Sequence, residues 1–402
     1  MSVVTPHRKR SLGVVFLVVL VDLTGFGLIL PLMPFFAREF GAGALEVSLL
    51  FSAYSLAQIV ASPFWGGLSD RIGRKPVMIL SSIGHGAAYA LFAVAGSWHW
   101  LLFSRILAGF MAGNLTAAQS AVSDLTDEKS RAAGMGLIGA AFGLGFTLGP
   151  ALATYLTTLS GEGSYALIGW VAAGLSAVNA LAAILFLQES RPANIPTPPR
   201  RAAWQTWTHI GKASSKPFAA MFGTVAVLTL AQASLYGAFP VYCAETFGMT
   251  GKDLGILYMI LGFWTVLIQG GAVRMFVRRL GEFRTFLTGL VLGAAAFIGL
   301  AISPTPGILT GFLSLMAVGL SLSGPTINSL ISKTATPAET GTRMGEAMAF
   351  ASLGRLLGPL WGGLWFAVFP TASFWLTGFL IAGAAILWGP QIRLASKEKQ
   401  AT

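Results

Sequence analysis

The sequence has little charge and almost no cysteine. Only 10% of its 402 residues are Asp, Glu, Lys or Arg, whereas soluble domains carry about 25%. The single cysteine, Cys243, excludes an intrachain disulfide. The four histidines are scattered along the chain rather than grouped with the spacing of a Cys/His metal site. The sequence therefore excludes a disulfide-rich scaffold and predicts neither a bound metal nor another cofactor.

Long apolar runs dominate the chain instead. Hydrophobic residues make up 54% of it, and the mean hydropathy is +0.72. Apolar stretches of about 20 residues recur, and each can cross a bilayer core of about 30 Å as a helix. We predict an all-α membrane protein with twelve spans. They lie at 12–36, 46–68, 76–96, 99–121, 133–157, 165–187, 217–241, 253–273, 284–303, 307–331, 344–368 and 372–390.

The net charge of +11 is concentrated between the spans of one side. Segments on that side hold 22 of the 26 Lys and Arg residues, whereas the opposite loops hold only Arg38 and Lys252. This bias predicts a multi-pass protein with both termini in the cytoplasm. The basic charge thus indicates topology and attraction to anionic lipids, rather than binding to nucleic acid.

A polar segment divides the chain into two halves. Residues 188–216 contain four prolines and are predicted to be a cytoplasmic linker between bundles at 1–187 and 217–402. Three pairs of similar segments recur at offsets of 206 to 209 residues: GFTLGP with GRLLGP, RIGR with RLGE, and PFFAREFG with PVYCAETFG. Parallel repeats of this kind occur in transporters whose halves rock around a central site.

The segment GGLSDRIGRKPV (66–77) resembles the signature loop of the major facilitator superfamily. The matching residues are Gly66, Asp70, Arg71, Gly73, Arg74 and Lys75. A loop that only obeys the orientation rule would need the cations but not the glycines or Asp70. The resemblance implies a cytoplasmic gate, in which Asp70, Arg74 and Asp124 cluster near the start of span 11.

Further segments resemble the twelve-span drug/proton antiporters of this superfamily, notably bacterial tetracycline and multidrug exporters. DLTGFGLILPLMP (22–34) resembles their first span and RILAGFMAGN (105–114) their fourth. The resemblance implies two pseudo-symmetric six-helix bundles and a transporter rather than an enzyme. The antiporter-type pattern G-x-x-x-G-P occurs in both halves, at Gly145, Gly149 and Pro150 and at Gly354, Gly358 and Pro359.

The chain departs from the tetracycline exporters at two places where they carry further acids. Ala88 occupies the corresponding position in span 3, and span 9 has no acid near Leu292. Tetracycline itself is therefore not the expected substrate, although the resemblance to the wider group of exporters stands.

Asp22 is an unusual residue for an apolar span. It lies about ten residues into span 1, near the bilayer midplane, where a carboxylate costs about 2.5–3.5 kcal/mol. We predict that Asp22 binds a coupled proton, with Arg105 as its partner and His85 as a further proton site in place of the missing acid. The alternatives are a packing acceptor at Asp22, an Arg105 that extends to the membrane surface, and a neutral core histidine.

Arg355 is the predicted contact for the substrate. It lies inside span 11, where the tetracycline exporters lack a charge, and Glu346 lies on the opposite face of that helix. One carboxylate (Asp22) and two guanidinium groups (Arg105 and Arg355) give the spans a net charge of +1, which favours an anionic or zwitterionic substrate. The alternative is an arginine satisfied by backbone carbonyls. Polar residues predicted to line the cavity are Asn114, Gln119, Gln232, Tyr236, Gln269 and Asn328.

Together these features predict a secondary active transporter, specifically a proton-coupled antiporter that exports a small organic solute or drug by alternating access. An uncoupled transporter or an importer of an organic anion is the first alternative, and a non-transporting membrane sensor or scaffold is the second. The expected partners are a small-molecule substrate, protons and the lipid bilayer. The chain is expected to be a monomer in the inner membrane of a prokaryote.

Overall fold

The computed structural model describes residues 6–126, 131–160, 165–191, 216–336 and 339–398, and every regular element in these ranges is helical. In the N-terminal half the helices are α1 (Pro6–Ile29), α2 (Met33–Glu39), α3 (Ala44–Ile72), α4 (Arg74–Ala93), α5 (Trp98–Phe110), α6 (Asn114–Leu125), α7 (Arg131–Ser160) and α8 (Tyr165–Phe186). In the C-terminal half they are α9 (Lys216–Phe247), α10 (Gly251–Leu267), α11 (Val273–Leu280), α12 (Glu282–Ala301), α13 (Pro306–Thr334), α14 (Thr340–Val368) and α15 (Ala372–Glu398). A π-helical segment, Ile268–Ala272, joins α10 to α11.

Eleven helical segments of the described chain are long and apolar enough to cross a membrane. The predicted all-α membrane protein is therefore confirmed. The predicted span 344–368 corresponds to α14, which has 29 residues but is not one of the eleven. Its polar and charged residues, including Arg355 near its middle, lower its hydropathy.

Two predicted spans are broken rather than continuous. Within predicted span 1, α1 ends at Ile29 and α2 begins at Met33. Pro34 lies in the first turn of α2, where the N–H groups have no partner within the helix, so the missing N–H of proline costs no hydrogen bond. Span 4 consists of α5 and α6, which are separated by the turn 111–113. Gly113 lets the Trp65 ring pack against this turn, because a Cβ at that position would lie 2.7 Å from the ring.

The chain divides into two compact units. The first unit contains Met1–Ala42, Ala53–Ala203 and Gly251–Met259, and the second contains Gly43–Ser52, Trp204–Thr250 and Ile260–Thr402. The start of α3 therefore belongs with the second unit and the start of α10 with the first. The main division falls within the predicted linker 188–216, of which 192–215 lie outside the described residues.

Each unit contains a closely packed pair of helices that corresponds to a pair in the other unit. In the first unit α1 packs against α7 and α4 against α8, while in the second α9 packs against α14 and α12 against α15. These pairs occupy equivalent positions in the sequence repeat. Small and branched apolar side chains fill the first unit between α1, α4, α6 and α8, among them Val18, Val77, Ala118 and Ala183.

Candidate functional site

A buried polar contact joins α1 to α4 in the first unit. Asp22 Oδ1 lies 2.6 Å from Nδ1 of His85, and the two side chains are only 15% and 4% exposed. Both residues lie within helices of membrane-spanning character. An acid and an imidazole are thus in hydrogen-bond contact within apolar helices, and both are largely shielded from water.

The other ring nitrogen of His85 contacts the break between α5 and α6. His85 Nε2 lies 3.1 Å from the carbonyl oxygen of Ala108. This carbonyl can accept from His85 because the Ala112 N–H donates to Gly109 rather than one full α-helical turn back to Ala108. The glycine-rich break in the fourth span therefore supplies a backbone acceptor that holds the imidazole in a fixed orientation.

Arg105 does not pair with Asp22, contrary to the prediction. His85 contacts the Asp22 carboxylate instead. Arg105 lies among aromatic rings, with its guanidinium carbon 5.6 Å from the Tyr89 ring centroid and 5.2 Å from the Phe92 ring centroid. Its Nη2 donates to Ser104 Oγ over 3.1 Å, whereas its Nε has no hydrogen-bond partner. At 2% exposure it does not extend to the membrane surface either.

A second polar cluster lies one helical turn from the Asp22–His85 contact. Asn179 Nδ2 donates to the Val18 carbonyl over 3.1 Å and to Ser82 Oγ over 3.3 Å, while Asn114 Nδ2 donates to the same Ser82 oxygen over 3.1 Å. Asn114 is 1% exposed. The prediction that Asn114 lines an open cavity is therefore corrected, because its amide is used to tie α6 to α4.

The first antiporter-type pattern brings α7 close to α1 beside Asp22. A Cβ at Gly149 would lie 2.5 Å from the carbonyl carbon of Gly27, and one at Gly145 would lie 2.6 Å from Cβ of Leu23. Small residues at this spacing allow helix backbones to approach closely in a membrane. The pattern therefore fixes the position of the turn of α1 that presents Asp22.

The second copy of the pattern makes the corresponding contact in the second unit. A Cβ at Gly354 would lie 2.5 Å from the carbonyl oxygen of Ala226, and one at Gly358 would lie 2.7 Å from that of Leu230. Both contacts join α14 to α9. The prolines that follow the glycines, Pro150 and Pro359, lie inside α7 and α14.

The signature-loop residues form a cluster that joins α3, α4 and α6. Arg74 Nη1 lies 2.6 Å from Asp70 Oδ1, and Arg74 Nε lies 2.9 Å from Asp124 Oδ2. Asp70, Arg74 and Asp124, the three residues expected to form a gate, are thus in contact, and we call them the α3–α4 cluster. Lys75 extends to α8, where its Nζ donates to the Ile184 carbonyl over 2.8 Å.

Glu189 is a participant in this region that the sequence interpretation missed. It accepts from the backbone N–H of Arg74 over 2.9 Å and from that of Lys75 over 3.1 Å, so it caps the N-terminus of α4. Arg191 donates to the Arg71 carbonyl over 2.6 Å. Gly73 has φ +104°, and a Cβ there would overlap Glu189 Oε2. The sequence feature that could have pointed to such a partner is the absence of an acidic residue from the first turn of α4, which leaves this helix end without a carboxylate of its own.

The second unit repeats the contact between α4 and α6 with its charges reversed. Glu282, at the start of α12, lies 2.6 Å from Lys333 Nζ near the end of α13, and Ser329 Oγ donates to the same carboxylate over 2.9 Å. Gly281, just before Glu282, has φ +81° and corresponds to Gly73. Arg278 occupies the position that corresponds to Asp70 in the repeat, so the two halves differ in charge at that position as well.

Most of the predicted cavity residues belong to the second unit. Arg355 is exposed, donates to Ser352 Oγ over 2.9 Å, and interacts electrostatically with Tyr236. Tyr236 packs on Phe51, with ring centroids 5.8 Å apart. Glu346 pairs with Arg343 over 3.0 Å rather than with Arg355. Of the remaining predicted residues, Gln232, Gln269 and Asn328 are exposed, and Gln119, in the first unit, is half-buried.

Comparisons with known proteins agree with the resemblance. The family model described as "Major Facilitator Superfamily" matches residues 15–345. The tetracycline resistance protein, class E, of Escherichia coli is 28% identical over 334 residues, covering 81% of this chain and 80% of that protein. Major facilitator superfamily domain-containing protein 10 of Mus musculus is 28% identical over 429 residues, covering 92% and 88%.

A solved structure gives a further match. The crystal structure of the human organic anion transporter MFSD10 matches with a TM-score of 0.72 and 25% identity, covering 96% of this chain and all of that one (100%).

Proposed function

The chain belongs to the major facilitator superfamily and is a membrane transporter rather than an enzyme, and we propose that it is a proton-coupled antiporter that exports a small organic solute. The observation that carries the proposal is the buried contact between Asp22 and His85. A titratable pair in an apolar layer is costly, and such groups in membrane proteins mark ion and proton pathways. Histidine is the side chain whose ordinary titration falls near neutral pH.

The proposed mechanism is competition between protons and substrate. Protonation of the Asp22–His85 pair and binding of substrate alternate as the transporter changes between inward-open and outward-open states. Downhill entry of protons then drives export, because each state favours a different occupant. Arg105 adds a buried positive charge next to the pair, so it biases this competition without binding Asp22 directly.

We propose an anionic or zwitterionic substrate that contacts Arg355. A guanidinium presents several donors in one plane and suits a carboxylate or phosphate. The Tyr236 hydroxyl and the exposed amides on α9, α13 and the π-helical segment offer further hydrogen bonds. A likeness to a transporter described as carrying organic anions supports this substrate class, whereas the likeness to tetracycline resistance proteins supports drug export.

The α3–α4 cluster is the proposed cytoplasmic gate. Its ion pairs tie three helices together at one end of the first unit, and the loops at that end carry most of the basic charge. This charge bias supports a cytoplasmic location for both termini. We propose that the chain acts as a monomer in a prokaryotic inner membrane.

The test of proton coupling uses everted membrane vesicles that carry a pH-sensitive dye. After energisation, a panel of organic anions, zwitterions, tetracyclines and cationic drugs is added to wild type, Asp22→Asn and His99→Gln. His99 is exposed and lies away from the pair, so it is the matched control. Substrate-triggered proton release by wild type and His99→Gln, but not by Asp22→Asn, is expected. Full proton exchange by Asp22→Asn would contradict the proposal.

The second candidate is an uncoupled transporter of an organic anion. The exposed Arg355, together with the likeness to an organic anion transporter, favours it. In that case, substrate flux in liposomes would persist at the same rate without a pH gradient, and Asp22→Asn would leave this flux unchanged.

A further inference from the structure

The contacts of His85 define how many protons the buried pair holds. Nε2 faces the Ala108 carbonyl at 3.1 Å, and a carbonyl oxygen can only accept, so Nε2 carries a hydrogen. Nδ1 faces Asp22 Oδ1 at 2.6 Å. With Nε2 protonated, a neutral imidazole has a bare lone pair at Nδ1, and an ionised carboxylate has lone pairs only. A hydrogen bond at 2.6 Å therefore requires one additional proton between the two atoms.

This additional proton has two equivalent descriptions. It can lie on Nδ1, which gives an imidazolium against a carboxylate, or on Oδ1, which gives a neutral acid that donates to a neutral imidazole. In both descriptions the contact between the two residues holds one proton, which belongs to the pair rather than to either residue. The observed contact is thus the proton-loaded form.

Removal of that proton makes the contact repulsive. Two lone-pair-bearing atoms would then face each other across 2.6 Å, and one of them would carry a full negative charge. His85 cannot avoid this by moving its remaining hydrogen to Nδ1, because Nε2 would then present a lone pair to the Ala108 carbonyl. A neutral imidazole can therefore keep only one of its two contacts, so the link that joins α1, α4 and α5 through His85 is no longer complete.

Two neighbouring charges act on the charge of His85 in opposite directions. Arg105 of α5 repels a positive charge on His85, while Asp22 attracts it. Tyr89 of α4 and Tyr54 of α3 are the other titratable groups of this neighbourhood. The charged residues of α6 and α7 are Asp124, in the α3–α4 cluster, and Arg131, the first residue of α7; α8 contains none.

We propose that Asp22 and His85 share a single coupled proton, and that losing it breaks one of the two contacts of His85, with Asp22 of α1 or with the Ala108 carbonyl of α5, and so changes the conformation of the first unit. His85 is thus a necessary half of the proton site, and not a second, independent one. This inference rests on the proposed proton coupling. It also assigns a conformation to the proton-loaded form: in that form, α1 is tied to α4 and to the break in the fourth span.

The inference is tested first by thermal stability, which requires neither substrate nor transport. The melting temperature of purified protein in nanodiscs is measured from about pH 5 to about pH 9, a range centred near the ordinary titration of histidine. In Asp22→Asn, the amide can donate to a neutral His85 or accept from a protonated one, so the contact is kept at every pH. The exposed His99 is replaced in the control His99→Gln.

The expected result depends on which protein keeps the contacts of His85 at each pH. At low pH both proteins have both contacts of His85, whereas at high pH only Asp22→Asn keeps both. The melting temperature of wild type and of His99→Gln should therefore fall with rising pH by several degrees more than that of Asp22→Asn. Parallel curves for wild type and Asp22→Asn across the whole range would overturn the inference. His85→Gln, which can donate to Asp22 without a titratable proton, should follow Asp22→Asn.

A second measurement separates the inference from the proposed function. Substrate-triggered proton release is compared in wild type and His85→Gln. Release by wild type alone supports both the coupling and the shared proton. Equal release by both proteins would keep the coupling but overturn the shared proton. If wild type releases no proton with any substrate that binds, the proposed coupling fails, and the melting curves still decide whether the pair shares a titrating proton.

Discussion

Arg74 and Glu282 occupy equivalent positions in the sequence repeat, and their ion pairs have opposite polarity. Arg74 at the start of α4 pairs with Asp124 near the end of α6, while Glu282 at the start of α12 pairs with Lys333 near the end of α13. A glycine with positive φ precedes each of them. The repeat has thus preserved a contact between two helix ends while exchanging the acid and the base.

The two ion pairs should differ in their contribution to stability. Arg74 is 11% exposed and bonds two carboxylates, so Arg74→Gln should destabilise the protein by about 1.5–3 kcal/mol. Lys333 is 68% exposed, and Lys333→Gln should cost less than about 1 kcal/mol. Denaturation of the two variants in the same detergent measures the difference. A loss at Lys333 as large as that at Arg74 would contradict this ranking.

The approach of α7 to α1 should not tolerate a side chain at Gly149. A Cβ there would lie 2.5 Å from the Gly27 backbone, and overpacking of this kind typically costs about 1–3 kcal/mol. Gly149→Val should therefore lower the melting temperature and abolish transport, because it displaces the turn that carries Asp22. Gly139→Val, on the same helix with nothing within 4 Å of its Cβ position, is the matched control. Similar losses in both variants would show that valine in α7, rather than the close crossing, is responsible.

Glu189 should act as the cap of α4. Glu189→Ala leaves the N–H groups of Arg74 and Lys75 without their carboxylate and should cost about 1 kcal/mol, typical of a lost helix cap. Glu189→Gln retains an acceptor oxygen and should keep most of this stability. Melting temperatures of the two variants test the assignment. If Glu189→Ala were as stable as wild type, the contact would be unimportant for folding.

Arg355 should determine the charge preference of transport. Replacement by Gln should raise the KM for anionic substrates by about tenfold, since hydrogen bonds to charged groups contribute about 1.5–3 kcal/mol. Arg355→Lys keeps the charge but loses the planar set of donors, so it should restore only part of the affinity. Uptake of anionic and neutral compounds into vesicles provides the comparison. Equal effects on both classes of compound would exclude a role in charge recognition.

Sequence reasoning identified the helices and the repeated glycine pattern because both depend on local spacing, and the glycine contacts with α1 and α9 occur in both halves. The α3–α4 cluster came from the family resemblance instead. Asp124 is 50 residues from Arg74, and Gly73, with φ +104°, separates α3 from α4 between Asp70 and Arg74, so helical spacing alone does not bring the three together.

The partner of Asp22 was beyond such reasoning. His85 and Arg105 both lie in spans near α1, and their distances in sequence do not distinguish them. The choice depends on the rotation of α4 and on the break in the fourth span, which makes the Ala108 carbonyl available to His85. Glu189 was missed for a related reason: it follows α8 in a segment interpreted as a linker, and only the fold brings it to the start of α4.

The break between α5 and α6 also affects how the fourth span can move. A continuous helix turns as one rod, so rotation at one end appears at the other. Here the Asn114 N–H donates to Ser81 Oγ over 2.9 Å, and Ser81 in turn donates to the Met111 carbonyl, so the start of α6 is fastened to α4. The turn 111–113 therefore interrupts the rod, and each half of the fourth span is anchored to α4 by bonds of its own, since Ser104 Oγ of α5 donates to the Ala88 carbonyl over 2.8 Å.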